Sequence, residues 1–211
     1  YDQAGQLYRQ LVTQAGDLSV RASLAMVLEN RGSQLRGVDR LPEAASDLRE
    51  AMAIRTALVD SGAQEYVPGL ASSHGEMGLL LLHQGRVTDA LHAFEKSVLL
   101  RSSQIAAGRD EVQNAYCMSV LNRASCIREL GRRGEALEQI EDVIGARTAL
   151  ASRGFYVPQS LANALHDKAT TLYELGRPSM ALDAVNEAIE IRQSLLAEGK
   201  KHVEDTLATA Y

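Results

Sequence analysis

Five arginines, Arg9, Arg55, Arg101, Arg147 and Arg192, stand 46, 46, 46 and 45 residues apart. A row of guanidiniums at one repeated place could hold an anionic ligand, because each presents a planar fork of N–H donors. The same spacing also fits a bridge between repeats. In that case the aliphatic stem packs on the next element and the head pairs with a carboxylate or a helix-end carbonyl. A residue kept at one structural place in every copy serves stacking first, so the bridge is the expectation. Asn30 and Asn122 also occupy equivalent places, with Glu76 and Asp167 standing there in the other copies. An asparagine amide offers donor and acceptor together, which suits gripping an extended peptide backbone. Solvated asparagines on a helix surface fit the same pattern.

Signatures of catalysis are missing. The chain contains no GxxxxGK[ST] loop, HExxH helix, GxSxG elbow or paired CxxC. His74, His83 and His92 are nine residues apart. Nine residues turn a helix by about half a revolution, so these side chains do not converge on one ligand. The GRRG at 131–134 resembles a nucleic-acid clamp, but other copies of the same turn read GRVTD and GRPSM, which makes it a helix–helix loop. No catalytic residue, metal site or cofactor is expected, and the chain is read as a non-enzyme.

Charge and hydropathy exclude further classes. The net charge is −5 with both signs scattered, so no basic run neutralises a phosphate backbone and nucleic acid is not an expected partner. The longest apolar run, Met77 to Leu82, falls far short of the ~20 residues that span a bilayer. Cys117 and Cys126 lie nine apart in one expected helix, about 13 Å along its axis, too far for a disulfide. Buried thiols fit a reducing compartment, so a cytoplasmic location is expected.

The elements that position these residues follow from a second period. Gly16, Gly62, Gly108 and Gly154 are 46 apart and Gly199 follows 45 later, each trailed by a valine: Val20, Val67, Val112, Val157 and Val203. Such self-similarity marks an array of one supersecondary unit. Between Val157 and Gly199, Leu161, Leu165, Ala169 and Leu172 recur at helical spacing up to Gly176. Ala181, Leu182, Val185, Ala188, Ile189 and Ile191 do the same up to Gly199. Two amphipathic helices joined by a tight turn result. Pro68 and Pro158 fall near the starts of first helices, Pro42 and Pro178 near the starts of second ones, where the missing N–H costs nothing. Complete hairpins are expected at 20–62, 67–108, 112–154 and 157–199, with the second helix of a truncated repeat at 1–16 and the start of a further one at 203–211. They form a single array over 1–211. Beginning and stopping in mid-repeat, the sequence is read as a fragment of a longer protein.

Small residues recur at fixed places: Gly32, Gly78, Ala124 and Ala169 in first helices, then Ala44, Ala90, Ala136 and Ala181 in second ones. They let paired helices approach closely. With the turns VDRLPEAA, QGRVTDAL, LGRRGEAL and LGRPSMAL, this arrangement resembles the tetratricopeptide repeat, with armadillo and HEAT repeats of similar length as the main rival. The 45–46-residue unit is similar to the long repeats of kinesin light chains and bacterial signalling proteins. The resemblance implies an all-α fold, a right-handed α-solenoid of stacked hairpins, with first helices lining a concave groove. It places in that groove Asn30, Ser33 and Arg36; Leu79, Leu82 and His83; Met118, Leu121, Asn122, Ser125 and Arg128; and Asn163, His166 and Tyr173. The carboxylate clamp of chaperone-binding relatives is not expected, since its places hold Glu29, Gly75, Leu121 and His166 without a lysine. A partly apolar groove flanked by arginines suits an amphipathic or hydrophobic protein or peptide ligand. The expected function is a non-catalytic binding scaffold within a larger signalling or regulatory protein. The alternative is an intramolecular sensor or spacer arm beside an NTPase or protease-like effector domain. Self-association through exposed array ends is expected.

Overall fold

A computed structural model describes Leu7, residues 17–152 and residues 158–197. The expected helix at 1–16 (Leu7 apart), with Arg9, and the expected start of a repeat at 203–211 lie outside them. The described residues form eight α-helices and no strand: α1 (Leu18–Gly37), α2 (Leu41–Asp60), α3 (Val67–His83), α4 (Val87–Ala106), α5 (Gln113–Glu129), α6 (Arg133–Ser152), α7 (Pro158–Glu174) and α8 (Pro178–Ala197). Short 3₁₀ turns at Gln64–Tyr66 and Asp110–Val112 precede α3 and α5. The helices pack as consecutive pairs, as the two-helix period predicts. Two compact units divide the chain, residues 1–119 and 120–211, with the boundary inside α5.

Each first helix stops in the same way. Asp39, Gly85, Gly131 and Gly176 have φ of 61°, 72°, 84° and 72°, a left-handed step that ends a helix. The next residue is an arginine whose backbone N–H returns to a carbonyl five residues back: Arg40 to Leu35, Arg86 to Leu81, Arg132 to Ile127 and Arg177 to Leu172, at 2.9–3.1 Å. The side chains of Arg40, Arg86 and Arg132 then clamp Glu43, Asp89 and Glu135 in the first turn of the second helix. That is the physical content of the recurring G-R-x-x-[DE] turn. Asp39 alone among these four turns adopts the left-handed step with a side chain, at a cost that glycine avoids. Asp39→Gly is expected to raise stability by about 0.5–1 kcal/mol. A higher urea midpoint with an unchanged m-value would show it. The contact given up, Asp39 to His83 at 3.4 Å, is exposed and contributes little.

In the first unit, Leu24, Ala25 and Leu28 of α1 meet Ala51 of α2. Leu80 of α3 meets Ala44, Ala45 and Leu48 of α2, flanked by Leu35, Leu41 and Met77. The first hairpin therefore completes its core with the helix that follows. The second unit repeats this: Leu137 of α6 packs with Leu172 of α7 and Ala181 of α8, and Ala162 and Leu165 pack with Ala188. The small residues of the first helices sit at the closest approaches. A Cβ on Gly32 would lie 2.9 Å from Leu48, and one on Gly78 would lie 2.7 Å from the Phe94 ring.

Candidate functional site

The repeated arginine ends in an inter-hairpin network. In the first unit, Arg55 on α2 is 7% exposed. Its Nη1 donates to the Glu29 carboxylate of α1, to the Gly69 carbonyl of α3 at 2.6 Å and to Ser73 Oγ at 2.9 Å. Ser73 in turn donates to Glu29 at 2.8 Å. Burial pushes the Glu29 carboxyl above its ordinary range, while Arg55 and Ser73 hold it down. One repeat on, Arg101 of α4 donates to the Ala115 carbonyl of α5 at 2.6 Å, to Ser119 Oγ at 3.2 Å and to Ser72 Oγ at 3.0 Å. Ser97 ties the same place together, donating to the Ala71 carbonyl at 2.8 Å and lying 3.0 Å from Ser119 Oγ.

In the second unit Arg147 and Arg192 are 5% and 3% exposed, and Arg192 donates to Asn163 Oδ1 at 3.4 Å. Burial raises the Asp167 carboxyl, opposed by Arg128, His166 and Arg192. The bridge anticipated from the spacing is thus present at Arg55 and Arg101, whereas the Arg192 contact lies within its own hairpin. One detail is corrected: the carbonyls of Gly69 and Ala115 lie in the first turn of the following helix, not at a helix end. The serines and Gly69 were not singled out as its partners from sequence. Their signal was the same 46-residue step, Gly69 to Ala115 and Ser73 to Ser119.

The expected groove residues fall on the first helices. In the first unit, Asn30 and His83 are exposed, whereas Ser33, Arg36, Leu79 and Leu82 are half-buried. Arg36 reaches from α1 to Glu76 of α3 at 3.6 Å and to Ser33 Oγ at 3.4 Å. Met118 is 36% exposed. In the second unit Asn122, Ser125 and Arg128 are half-buried, and Arg128 lies 3.9 Å from Glu174 of α7. Asn163 is committed to Arg192 and to Gln159. Leu121 is corrected: at 4% exposure it belongs to the packing and not to a surface that a peptide can reach. Tyr173 is 72% exposed. With His166 it lines an apolar cleft of about 510 Å³ that continues over Ala181, Leu182 and Val185. By the repeat register, Ala181 and Val185 correspond to Ala44 and Leu48, which Leu80 covers in the first unit. The cleft thus lies at the places that serve as a stacking face in the first unit. A second cleft, about 400 Å³, lies on α1 and α2 between Leu18, Leu24, Ile54 and Leu58.

The histidines do not converge. His83 lies beside Asp39 and exposed His92 beside Glu95, while burial, then Lys96 and His92, lowers the pKa of His74. Among the described residues no group of three His, Cys, Asp or Glu side chains could hold a metal ion, and no helix is long and apolar enough to cross a membrane. Cys117 and Cys126 are buried thiols on α5 and form no disulfide with each other, as their spacing predicts. Burial and then Glu129 push the Cys126 thiol up to about 12, so it carries no thiolate at neutral pH.

A tetratricopeptide-repeat family model matches residues 161–203. The fold is shared with several solved structures. One is a variant of a Podosopora anserina kinesin-light-chain candidate with nearly identical TPR-like repeats, at 18% identity and TM-score 0.62, covering 93% of this chain and 88% of that one. Another is MamA, at 13% identity and TM-score 0.58, covering 93% and 91%. A third is BtubC (BKLC) from P. vanneervenii, at 16% identity and TM-score 0.50, covering 92% and 89%. At these identities the likeness establishes the fold alone. No curated protein matches the chain.

Proposed function

We propose that this array of tetratricopeptide repeats is a non-catalytic scaffold that binds a protein or peptide along its first helices. The observation that carries the reading is a division of labour on those helices. One set of side chains, from Leu28 to Ser73, is consumed in stacking, while a second set at three- and four-residue steps stays accessible. Met26 is 51% exposed, Asn30 and His83 are exposed, and Leu79 and Leu82 are half-open. Such a strip mixes apolar area with an amide and an imidazole, as a peptide ligand requires. The 46-residue period runs through the unit boundary without a break, inside one helix, which supports a single array. The buried thiols support a cytoplasmic setting.

The test is affinity capture from host lysate with the chain and two variants. Asn122→Ala with Arg128→Ala alters the proposed face. Leu99→Ala removes a side chain 68% exposed on the second helix α4. A protein retained by the chain and the Leu99 variant but lost by the first variant supports first-helix recognition. Equal retention by all three places the binding surface elsewhere.

Self-association belongs to the same proposal, because the larger cleft lies at places that the next hairpin covers in the first unit. Light scattering across micromolar concentrations should show a mass that rises with concentration. Leu182→Asp, in the larger cleft, should hold it at that of one chain. A strictly monomeric chain would contradict this expectation.

A further inference from the structure

Arg55 and Arg101 occupy the same place in successive repeats, yet they are neutralised differently. Both donate to the carbonyl of the third residue of the next first helix, Gly69 or Ala115, and to the serine four residues on, Ser73 or Ser119. Arg55 has in addition the Glu29 carboxylate of its own hairpin. One period after Glu29 stands Gly75, which has no side chain to offer. Among the described residues every acceptor of Arg101 is neutral: a carbonyl and two hydroxyls. The place of the missing side chain is open. A Cβ on Gly75 would meet only Ser97 Oγ, at 3.8 Å.

We propose that the space over Gly75 is a subsite for an acidic side chain of a bound peptide, whose carboxylate pairs with Arg101 as Glu29 pairs with Arg55. A guanidinium with only neutral partners keeps forked N–H donors for an incoming carboxylate, and the hydroxyls of Ser72 and Ser97 border the same space. Burial lowers the pKa of Arg101, and Glu29 opposes this from a distance. The chain thus answers that charge only at long range. The proposal rests on the scaffold reading, and it gives the ligand a chemical feature: an Asp or Glu carboxylate seated between α3 and α4.

The probe is glutamate with both backbone ends blocked, N-acetyl-glutamate N-methylamide, titrated while the Arg101 Nε–H cross-peak is followed by NMR. Arg101→Lys assigns the peak. Two further compounds separate the sources of the chemistry: blocked glutamine, with no carboxylate, and N-acetyl-glutamine, with only a terminal one. A saturating shift is expected with blocked glutamate alone, and it should vanish in Gly75→Glu, where the chain fills its own subsite. Melting supplies a readout without ligand. Gly75→Glu should melt roughly 3–6 °C above Gly75→Gln at neutral pH. That gap should close in acid, as the new carboxylate, held down by Arg101, takes up a proton. Four results would overturn the proposal: no shift, a shift from either glutamine compound equal to that from blocked glutamate, a shift that survives in Gly75→Glu, or no melting gap. The probe reads the subsite without any partner. A bound probe beside a failed lysate capture therefore rejects the scaffold reading and leaves the subsite standing.

Discussion

Arg55→Met is expected to lower the unfolding free energy by about 3–5 kcal/mol, because it removes one partner of a buried pair and strands the other. Methionine keeps much of the stem that packs between hairpins, so the loss isolates the guanidinium. What remains is the Glu29 carboxylate, whose pKa burial already raises from its ordinary 4.5. Without Arg55 it rises further. The native state then holds a proton that the unfolded chain releases, so stability falls as pH climbs through the window above 4.5. The deficit should be smaller at about pH 5 than at about pH 7.5, measured by urea unfolding at both. Adding Glu29→Gln should recover much of the loss at neutral pH, since an amide can be buried at lower cost than a charge. An equal deficit at both pH values would assign the effect to lost packing and sink the electrostatic account.

The second large effect is steric. Gly78→Ala should cost about 1–3 kcal/mol, the range for overpacking a filled core. Its Cβ would stand 2.7 Å from the Phe94 ring, and that ring is fully buried. The chain itself suggests the rescue. One period later the same pair of places holds Ala124 and Ile140. Gly78→Ala with Phe94→Ile should therefore be no less stable than Phe94→Ile alone, a coupling of about 1–3 kcal/mol in a double-mutant cycle. Gly75→Ala, three residues earlier, is the control with opposite sign. Only Ser97 Oγ approaches it, at 3.8 Å, so the gain in helix propensity, about 0.5–1 kcal/mol, should show. Additivity of Gly78→Ala and Phe94→Ile would mean that the ring has room to move.

The small-against-large pairing was legible in the sequence because it repeats with the helical period, and helix ends were legible because left-handed steps favour glycine. Asp39 shows the limit. It occupies the place of Gly85, Gly131 and Gly176, and only alignment with its repeats gives it away. Arg55 and Arg101 were legible as bridges, yet their acceptors were not, since a backbone carbonyl leaves no mark in a sequence. Leu121 was misread for a physical reason. It stands at the place of Glu29, on the edge between the open and packed sides of its helix, where the identity of the side chain decides the outcome. A glutamate turns its head to Arg55, whereas a leucine with no polar tether is 4% exposed. Asn163 falls on a first helix as its period predicts, but its amide oxygen is already engaged by Arg192.

The way Arg55 reaches forward sets the grain at which such a chain can be recombined. A single helix is a poor cassette: moving α3 without α4 would bring Gly78 to a partner other than Phe94, leaving a void or a clash. A whole hairpin carries its small–large pair with it. It then needs only a small residue and a serine in its first turns to receive the arginine of whatever hairpin precedes it. Gene-level duplication and shuffling in steps of one period would therefore keep each small–large pair together. Steps of half a period would break two at once.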